Sequence, residues 1–128
     1  MPAKILVVDD RPLMRDAVRS FLIQQSRWEI YEAENCKLAL SRMPEIKPDV
    51  VVLDIPQLEM NELQVADEIS RLAPETKIIF MSNHYTPEVV SFMSGLLGVG
   101  EFIRTTEIAT RLVPTIRRLL PAGNQAHG

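Results

Sequence analysis

The stretch VVVLDIPQLEMNEL, residues 50–63, decides how this chain can fold. Its leading apolar run ends abruptly at Asp54, and Pro56 then interrupts the chain before a polar loop. A short run of apolar, β-branched residues is typical of a strand buried on both faces of a parallel sheet. An ionised carboxylate at the end of such a strand is costly unless something there interacts with it. Asp54 is therefore the first candidate functional residue.

Four further apolar runs resemble this one, and each of the five precedes apolar residues at helical spacing. The predicted strands are KILVV (4–8), WEIY (28–31), VVVL (50–53), KIIFM (77–81) and EFI (101–103). The helical stripes lie at residues 14–22, 36–43, 65–72, 89–97 and 108–119. This alternation predicts an α/β domain with a five-stranded parallel sheet and helices on both faces. We expect the flavodoxin-like (βα)5 arrangement, with strand order 2-1-3-4-5.

The composition fits one globular domain in a reducing compartment. The chain has 128 residues, of which 46% are apolar and 24% charged, and its net charge of −3 argues against a surface built for nucleic acid. A single cysteine, Cys36, favours the cytoplasm, and the N-terminus predicts neither a signal peptide nor a membrane anchor. We expect residues 1–120 to form the domain, and residues 121–128 to be a flexible tail or the start of a linker.

Polar residues follow the ends of four predicted strands. Asp9 and Asp10 follow the first strand, Asp54 the third, Ser82 the fourth and Arg104 the fifth. Sites in open parallel sheets form beyond the carboxyl ends of the strands, and strand order 2-1-3-4-5 makes the first and third strands neighbours. The three carboxylates should therefore converge at one edge of the sheet.

Convergence of carboxylates has an electrostatic cost, of roughly 4 kcal/mol for two of them about 4 Å apart at an effective dielectric of 20. In the loops that follow these acids, Arg11 is the one basic residue. Mg²⁺ would offset the repulsion, since it binds one or two carboxylates together with phosphate oxygens. A carboxylate can itself accept a phosphoryl group, and phosphoryl transfer depends mainly on positioning and charge neutralisation. Alternatively, Asp9 and Asp10 only cap the first helix and Asp54 only solvates a turn.

Three segments carry a family resemblance. ILVVDDRPLMRDAV (5–18), KPDVVVLDI (47–55) and LAPETKIIFMSNH (72–84) resemble receiver domains of bacterial two-component response regulators. Among these, the sequence is most similar to the receivers that precede LuxR/NarL-type DNA-binding domains. The resemblance extends from residue 3 to about residue 120.

The resemblance implies a role for each strand-end residue. Asp54 is similar to the phosphorylated aspartate, and Asp9 and Asp10 to the acids that organise Mg²⁺, with Asp10 the direct ligand. The backbone carbonyl of Pro56 takes the place of a further metal ligand. Ser82 takes the place of the hydroxyl-bearing switch residue. Receiver domains catalyse their own phosphorylation and dephosphorylation, so the chain would be an autocatalytic phosphoacceptor rather than an ordinary enzyme.

The resemblance also implies partners. A sensor histidine kinase, a phosphotransfer protein or a small phosphodonor would supply the phosphoryl group. The surface formed by the predicted fourth helix, the fifth strand and the last helix would bind partners or form a homodimer. Contact with DNA would require an output domain outside these 128 residues.

The sequence departs from the family pattern in two regions. In the loop after Asp54, Leu58 and Glu62 replace the usual proline and glycine, so we expect a different turn or an earlier helix start. Ungapped spacing puts Arg104 at the position of the family lysine, whereas a one-residue shift would put Thr105 there. Pro114 lies inside the last predicted helix and predicts a kink or break, because proline lacks the amide donor that a regular helix uses.

Two other functions remain open from the sequence. A pseudo-receiver would keep the fold as a phosphate-independent interaction module, an interpretation that the missing lysine favours. A flavodoxin-like enzyme or cofactor-binding domain is the weaker alternative, because the chain lacks a glycine-rich phosphate loop.

Overall fold

The computed structural model of the chain describes residues 2–54, 60–83 and 101–121. Within these ranges, three α-helices and five strands precede the C-terminal region. The strands are β1 (Lys4–Val8), β2 (Glu29–Ala33), β3 (Val50–Asp54), β4 (Lys77–Met81) and β5 (Glu101–Ile103). The helices are α1 (Pro12–Gln25), α2 (Cys36–Ile46) and α3 (Met60–Leu72). Within the described ranges, no helix is both long enough and apolar enough to cross a bilayer.

The five strands form one parallel sheet in the order β2-β1-β3-β4-β5, which confirms the predicted topology. The pairing is in register at the carboxyl edge. Val8 pairs with Leu53, Asp54 pairs with Met81, and Met81 in turn pairs with Ile103. The residues that follow β1, β4 and β5 therefore emerge at the same edge as Asp54.

Two apolar layers cover the two faces of the sheet. Alternate residues of β1 divide between them, with Leu6 and Val8 in one layer and Ile5 and Val7 in the other. The first layer is completed by buried residues of α2 and α3, namely Ala39, Met43, Ile46, Ala66 and Ile69. The second layer is completed by α1 and the C-terminal region through Val18, Leu22, Leu112, Val113 and Ile116. The predicted placement of helices on both faces is thus confirmed.

Two strand boundaries differ from the prediction. β3 includes Asp54 itself, so the candidate acceptor is the last residue of a strand rather than the first of a loop. β2 runs from Glu29 to Ala33 instead of 28–31, because its pairing with β1 continues until Ala33 lies beside Val8. β2 is an edge strand with only Ala33 buried, so its apolar pattern marks its ends poorly.

The region after β5 is helical but irregular, as Pro114 predicted. A 3₁₀ turn (Thr105–Glu107) leads into a π-helical turn (Ile108–Leu112), and regular α-helix begins only at Val113 and ends at Leu119. We call residues 105–119 the C-terminal helical segment. Pro114 is the second residue of the α-helical part, where its missing amide is tolerated.

The departures after Asp54 are partly visible. Glu62, whose replacement of a glycine predicted a different turn or an earlier helix start, is the third residue of α3. Among the residues that the structure describes, Lys47, at φ 52°, is the one non-glycine residue with a left-handed backbone. Pro56, Leu58, His84 and the predicted fourth helix from Pro87 lie outside the described residues.

Candidate functional site

The sheet register brings Asp9 and Asp54 side by side. Val8 and Leu53 are paired, so the residues that follow them, on two central strands, leave the sheet at the same level. Both side chains are buried, with 0% of the Asp9 side chain and 1% of the Asp54 side chain exposed. The predicted convergence of strand-end carboxylates is therefore observed for this pair, which we call the acid pair.

The side chain of Arg11 bridges the acid pair. Its Nη2 donates to Asp54 Oδ2 at 2.6 Å, and its Nε donates to Asp9 Oδ1 at 3.2 Å. The backbone N–H of Arg11 donates to the same Asp9 oxygen at 2.9 Å, which fixes the turn into α1. Arg15 adds a hydrogen bond from Nη1 to the Asp9 carbonyl oxygen at 2.9 Å. The turn that precedes α1 thus delivers a guanidinium group onto both buried carboxylates.

The electrostatics of the acid pair are unbalanced. The pKa of Asp54 is raised from 3.8 to about 7, first by burial and then by the neighbouring Asp9 carboxyl group, while Arg11 opposes these effects. Burial acts to lower the pKa of the Arg11 guanidinium, but the two carboxylates outweigh it and raise that pKa above its usual range. A single guanidinium therefore does not fully neutralise two buried carboxylates.

The acid pair retains unused oxygen atoms. Asp9 Oδ2 and Asp54 Oδ1 are buried and have no hydrogen-bond partner. Buried polar atoms without a partner are costly, so each of these oxygens is a candidate ligand atom. Oxygen donors of this kind fit Mg²⁺, which completes its coordination with waters and phosphate oxygens. The donor set of the acid pair thus fits the predicted metal.

A cavity of about 560 Å³ opens at the acid pair. Asp10 lines it but is itself exposed, and Gln64 and Glu68 of α3 form part of the opposite wall. Within the described part of the chain, no three acidic, histidine or cysteine side chains are grouped closely enough to hold a metal by themselves. A second cavity, of about 600 Å³, lies at the amino ends of β3 and β4, away from the acid pair.

Ser82 and Arg104 follow β4 and β5 at the same level as the acid pair. Ser82 is buried, and its backbone N–H donates to the Ile103 carbonyl oxygen at 3.1 Å. Arg104 is exposed, and its backbone N–H donates to the Glu107 carboxylate at 3.2 Å. The cation observed on Asp54 comes from Arg11, so the side-chain position predicted for Arg104 at a phosphoryl group stays a prediction.

Sequence reasoning gave Arg11 no functional role. Its position directly after Asp9 and Asp10 was the available signal, because the sole basic residue in the acidic loops is the natural counter-ion for them. Asp10, which was expected to converge with the other two acids, lines the same cavity as they do but is exposed rather than buried.

Comparison with known proteins agrees with this arrangement. The family model for the response regulator receiver domain matches residues 5–104. The response regulator protein VraR of Staphylococcus saprophyticus is 26% identical over 119 residues, which is 92% of this chain and 56% of VraR. The chemotaxis protein CheY of Thermotoga maritima is 34% identical over 82 residues, which is 64% of this chain and 68% of CheY. The chain therefore spans little more than half the length of VraR.

Solved structures show the same fold. The Vibrio cholerae chemotaxis protein CheY4 superposes with a TM-score of 0.81 at 21% identity, covering 94% of this chain and 100% of that chain. A LuxR-family DNA-binding response regulator from Staphylococcus aureus superposes with a TM-score of 0.77 at 24% identity, covering 91% of this chain and 98% of that chain. Since the family model spans most of the sequence and the fold agrees, the chain belongs to the response regulator receiver domain family.

Proposed function

We propose that this receiver domain serves two-component signalling by accepting a phosphoryl group on Asp54. The observation that carries the proposal is the acid pair, in which Asp9 and Asp54 are buried at the carboxyl ends of adjacent strands. Each carboxylate keeps one buried oxygen atom without a partner. An arrangement that costs stability in this way is expected where a carboxylate has a chemical task.

The proposed reaction transfers the phosphoryl group from a phosphohistidine to Asp54. A carboxylate oxygen of Asp54 attacks phosphorus, the phosphorus–nitrogen bond breaks, and the imidazole leaves with its electron pair and takes up a proton. The product is an acyl phosphate. Water later attacks phosphorus, which releases inorganic phosphate and restores the carboxylate. A sensor histidine kinase, a phosphotransfer protein or a small phosphodonor would supply the phosphoryl group.

Mg²⁺ is the cofactor that we propose for this site. Asp9, Asp10 and Asp54 would hold it, together with the backbone carbonyl of Pro56, which lies outside the described residues. The bound ion would supply positive charge to the phosphate oxygens. Asp10 is exposed at the cavity wall, so its side chain has room to turn toward a bound ion.

The proposed readout involves Ser82 and Arg104. Their placement at the level of Asp54 supports contact with a phosphoryl group there. Such contact would alter the surface of the predicted fourth helix, β5 and the C-terminal helical segment, where partners or a second copy of the chain would bind. We propose residues 1–120 as the receiver unit, and the likeness to a LuxR-family DNA-binding response regulator suggests a role in transcription through a separate output domain.

Intact mass spectrometry after incubation with Mg²⁺ and a small phosphodonor tests the proposal. Wild-type protein should gain the mass of one phosphoryl group, and Asp54→Asn should gain none, because the amide is not a nucleophile. Asp67→Asn is the matched control, since Asp67 pairs with Arg71 on α3 and touches no member of the acid pair. Asp10→Asn should still be labelled but should require more Mg²⁺. Equal labelling of wild type and Asp54→Asn would disprove the assignment.

A pseudo-receiver is the second candidate, and one observation favours it. Arg11 already supplies a cation to Asp54 at 2.6 Å, as expected of a site that holds its shape without phosphate. Wild-type protein that remains unlabelled by the phosphodonor at saturating Mg²⁺ would favour this alternative.

A further inference from the structure

We infer that the Arg11 side chain is a latch on the acid pair: it opposes the binding of a divalent cation or a phosphoryl group there, and it moves away from Asp54 when either occupies the site. The inference deepens the proposed function of Asp54 and rests on it. In this role, Arg11 would lower the Mg²⁺ affinity of the resting domain and so limit its phosphorylation.

The contacts of Arg11 give the latch its shape. A guanidinium is planar and rigid, and here two of its nitrogens reach two different carboxylates, Nε to Asp9 and Nη2 to Asp54. Hydrogen bonds between charged groups are stronger than neutral ones. The bridge therefore joins the ends of β1 and β3 through side chains, at the place where the proposed metal would join them.

The contact between Arg11 and Asp54 explains why the latch opposes an incoming group. Asp54 Oδ2 is covered by the guanidinium, and Asp54 Oδ1 is buried without a partner. Only 1% of the Asp54 side chain is exposed. The guanidinium holds the hydrogen-bonding position on Oδ2 that an incoming phosphoryl group would need, so this oxygen of the resting carboxylate is not presented to a donor. Movement of the Arg11 side chain would free Oδ2 from this hydrogen bond.

Electrostatic repulsion between the bound cation and the Arg11 guanidinium would open the latch. A divalent cation at the acid pair would repel a guanidinium that contacts the same two carboxylates. The Arg11 side chain is 43% exposed, so it can move into solvent without disturbing the core. Its backbone N–H bond to Asp9 does not depend on the guanidinium, so the turn into α1 can persist when the latch opens. The side chain and the metal therefore compete, and removing the latch should strengthen metal binding.

Calorimetric titration with Mg²⁺ alone, without any phosphodonor, tests the competition. All variants are titrated in the same buffer at about pH 8.5, above the pKa of about 7 of Asp54 in the wild type. Arg11→Gln removes the charge and keeps a polar side chain, and it should bind Mg²⁺ about tenfold more tightly than wild type. Arg11→Lys keeps the charge but contacts one carboxylate at a time, and it should bind at least about threefold more tightly.

Arg19→Gln is the matched control for charge. Arg19 pairs with Glu32 on the surface and touches neither member of the acid pair, so its loss should change Mg²⁺ affinity by less than about twofold. In the wild type, addition of Mg²⁺ should shift the NMR signal of the Arg11 Nε–H toward that of a solvent-exposed arginine. An Arg11 signal that stays unchanged while Mg²⁺ binds would overturn the latch.

The remaining outcomes separate the latch from the proposed function. If Arg11→Lys binds Mg²⁺ like wild type while Arg11→Gln binds tighter, the effect is one of net charge and the latch is wrong. If Arg11→Gln does not fold, Arg11→Lys with wild-type affinity has the same consequence. If wild type is phosphorylated on Asp54 but Arg11→Gln binds no tighter, only the latch fails. Absence of both Mg²⁺ binding and labelling in every variant would overturn both proposals.

Discussion

The acid pair and the C-terminal helical segment adjoin the same sheet but differ in what fixes their geometry. Asp9 and Asp54 follow or end two central strands, each hydrogen-bonded on both sides, so the sheet register alone sets their positions. The C-terminal helical segment follows β5, a three-residue edge strand, and passes through a 3₁₀ turn and a π turn before regular helix begins.

This difference indicates which parts of a receiver domain tolerate changes in sequence. A shift of either central strand would move a buried carboxylate into the core, so the acid pair admits little variation. Beyond β5, irregular turns absorb Pro114 without disturbing the buried residues Leu112, Val113 and Ile116. Arg104 and Pro114, two departures from the family pattern, both fall in this second, more permissive region.

The comparison predicts that the stability of the metal-free protein depends on pH through the acid pair. The pKa of Asp54 is raised from 3.8 to about 7 on folding, so the folded state holds this proton more tightly than the unfolded chain. The resulting stabilisation is fully present below about pH 4 and is lost as the pH rises through 7. We expect the free energy of unfolding to fall by on the order of 4 kcal/mol from this group.

Urea unfolding in the presence of a chelator, followed by the fluorescence of the single, buried Trp28, measures this dependence. Asp54→Asn is the control, because the amide does not titrate while all other titratable groups are kept. The difference between the two proteins isolates Asp54. Parallel stability curves from pH 4 to about pH 8 would show that Asp54 titrates normally and that the acid pair is not strained.

The strands beside the acid pair were predictable because a buried strand requires a run of apolar residues, which is visible in the sequence. β1, β4 and β5 begin and end at the predicted residues, since buried parallel strands are continuous apolar runs. Asp9 and Ser82 follow from the runs of β1 and β4 by position alone, and Asp54 follows from the run of β3. The boundaries of β2 were predicted wrongly because an edge strand with one buried residue has a weak apolar pattern.

The direction of long side chains was not predictable. Arg11 was visible as a basic residue among acids, but residue spacing does not show whether a flexible arginine turns inward to Asp54 or outward to solvent. The π turn before Val113 was anticipated only as an irregularity near Pro114, because several hydrogen-bonding patterns relieve the same missing donor.

The second prediction concerns Arg104, in the region after β5, and tests whether its side chain contributes to phosphorylation of Asp54. If its guanidinium reaches a phosphoryl group on Asp54, Arg104→Ala should slow phosphorylation or shorten the phosphorylated lifetime by about tenfold, the loss expected for one charged hydrogen bond. Arg104→Lys should largely restore both properties, because lysine supplies the same charge. Labelling and decay followed by intact mass provide the measurement.

Arg118→Gln is the control, since Arg118 lies in the same region and contacts Glu101 on the surface, at 2.6 Å. It should behave like wild type. If Arg104→Ala also behaves like wild type, Arg104 does not replace the family lysine. Thr105, the residue reached by the shifted alignment, or the pseudo-receiver would then be favoured.

The smallest expected effect is the change in stability on replacing Pro114, which we compare with the replacement of Pro44, a second proline within a helix. Pro44 lies inside α2, where its ring and missing amide oppose a regular helical turn, so Pro44→Ala should stabilise the protein by about 1–3 kcal/mol. Pro114 is the second residue of a regular stretch that follows a π turn. Pro114→Ala should therefore change the free energy of unfolding by less than about 1 kcal/mol, because the new amide gains only a weak hydrogen bond and the unfolded chain becomes more flexible.

Urea unfolding of both variants measures the difference, and hydrogen exchange at the backbone amide that Pro114→Ala introduces tests its cause. This new amide should be protected only weakly if the π turn persists, because a residue at the start of a regular helix has no regular acceptor for its N–H. A gain for Pro114→Ala as large as that for Pro44→Ala, with a strongly protected amide, would mean that the proline itself imposes the π turn. The irregular turns after β5 would then be a consequence of one residue, and the permissiveness of this region would be limited to that position.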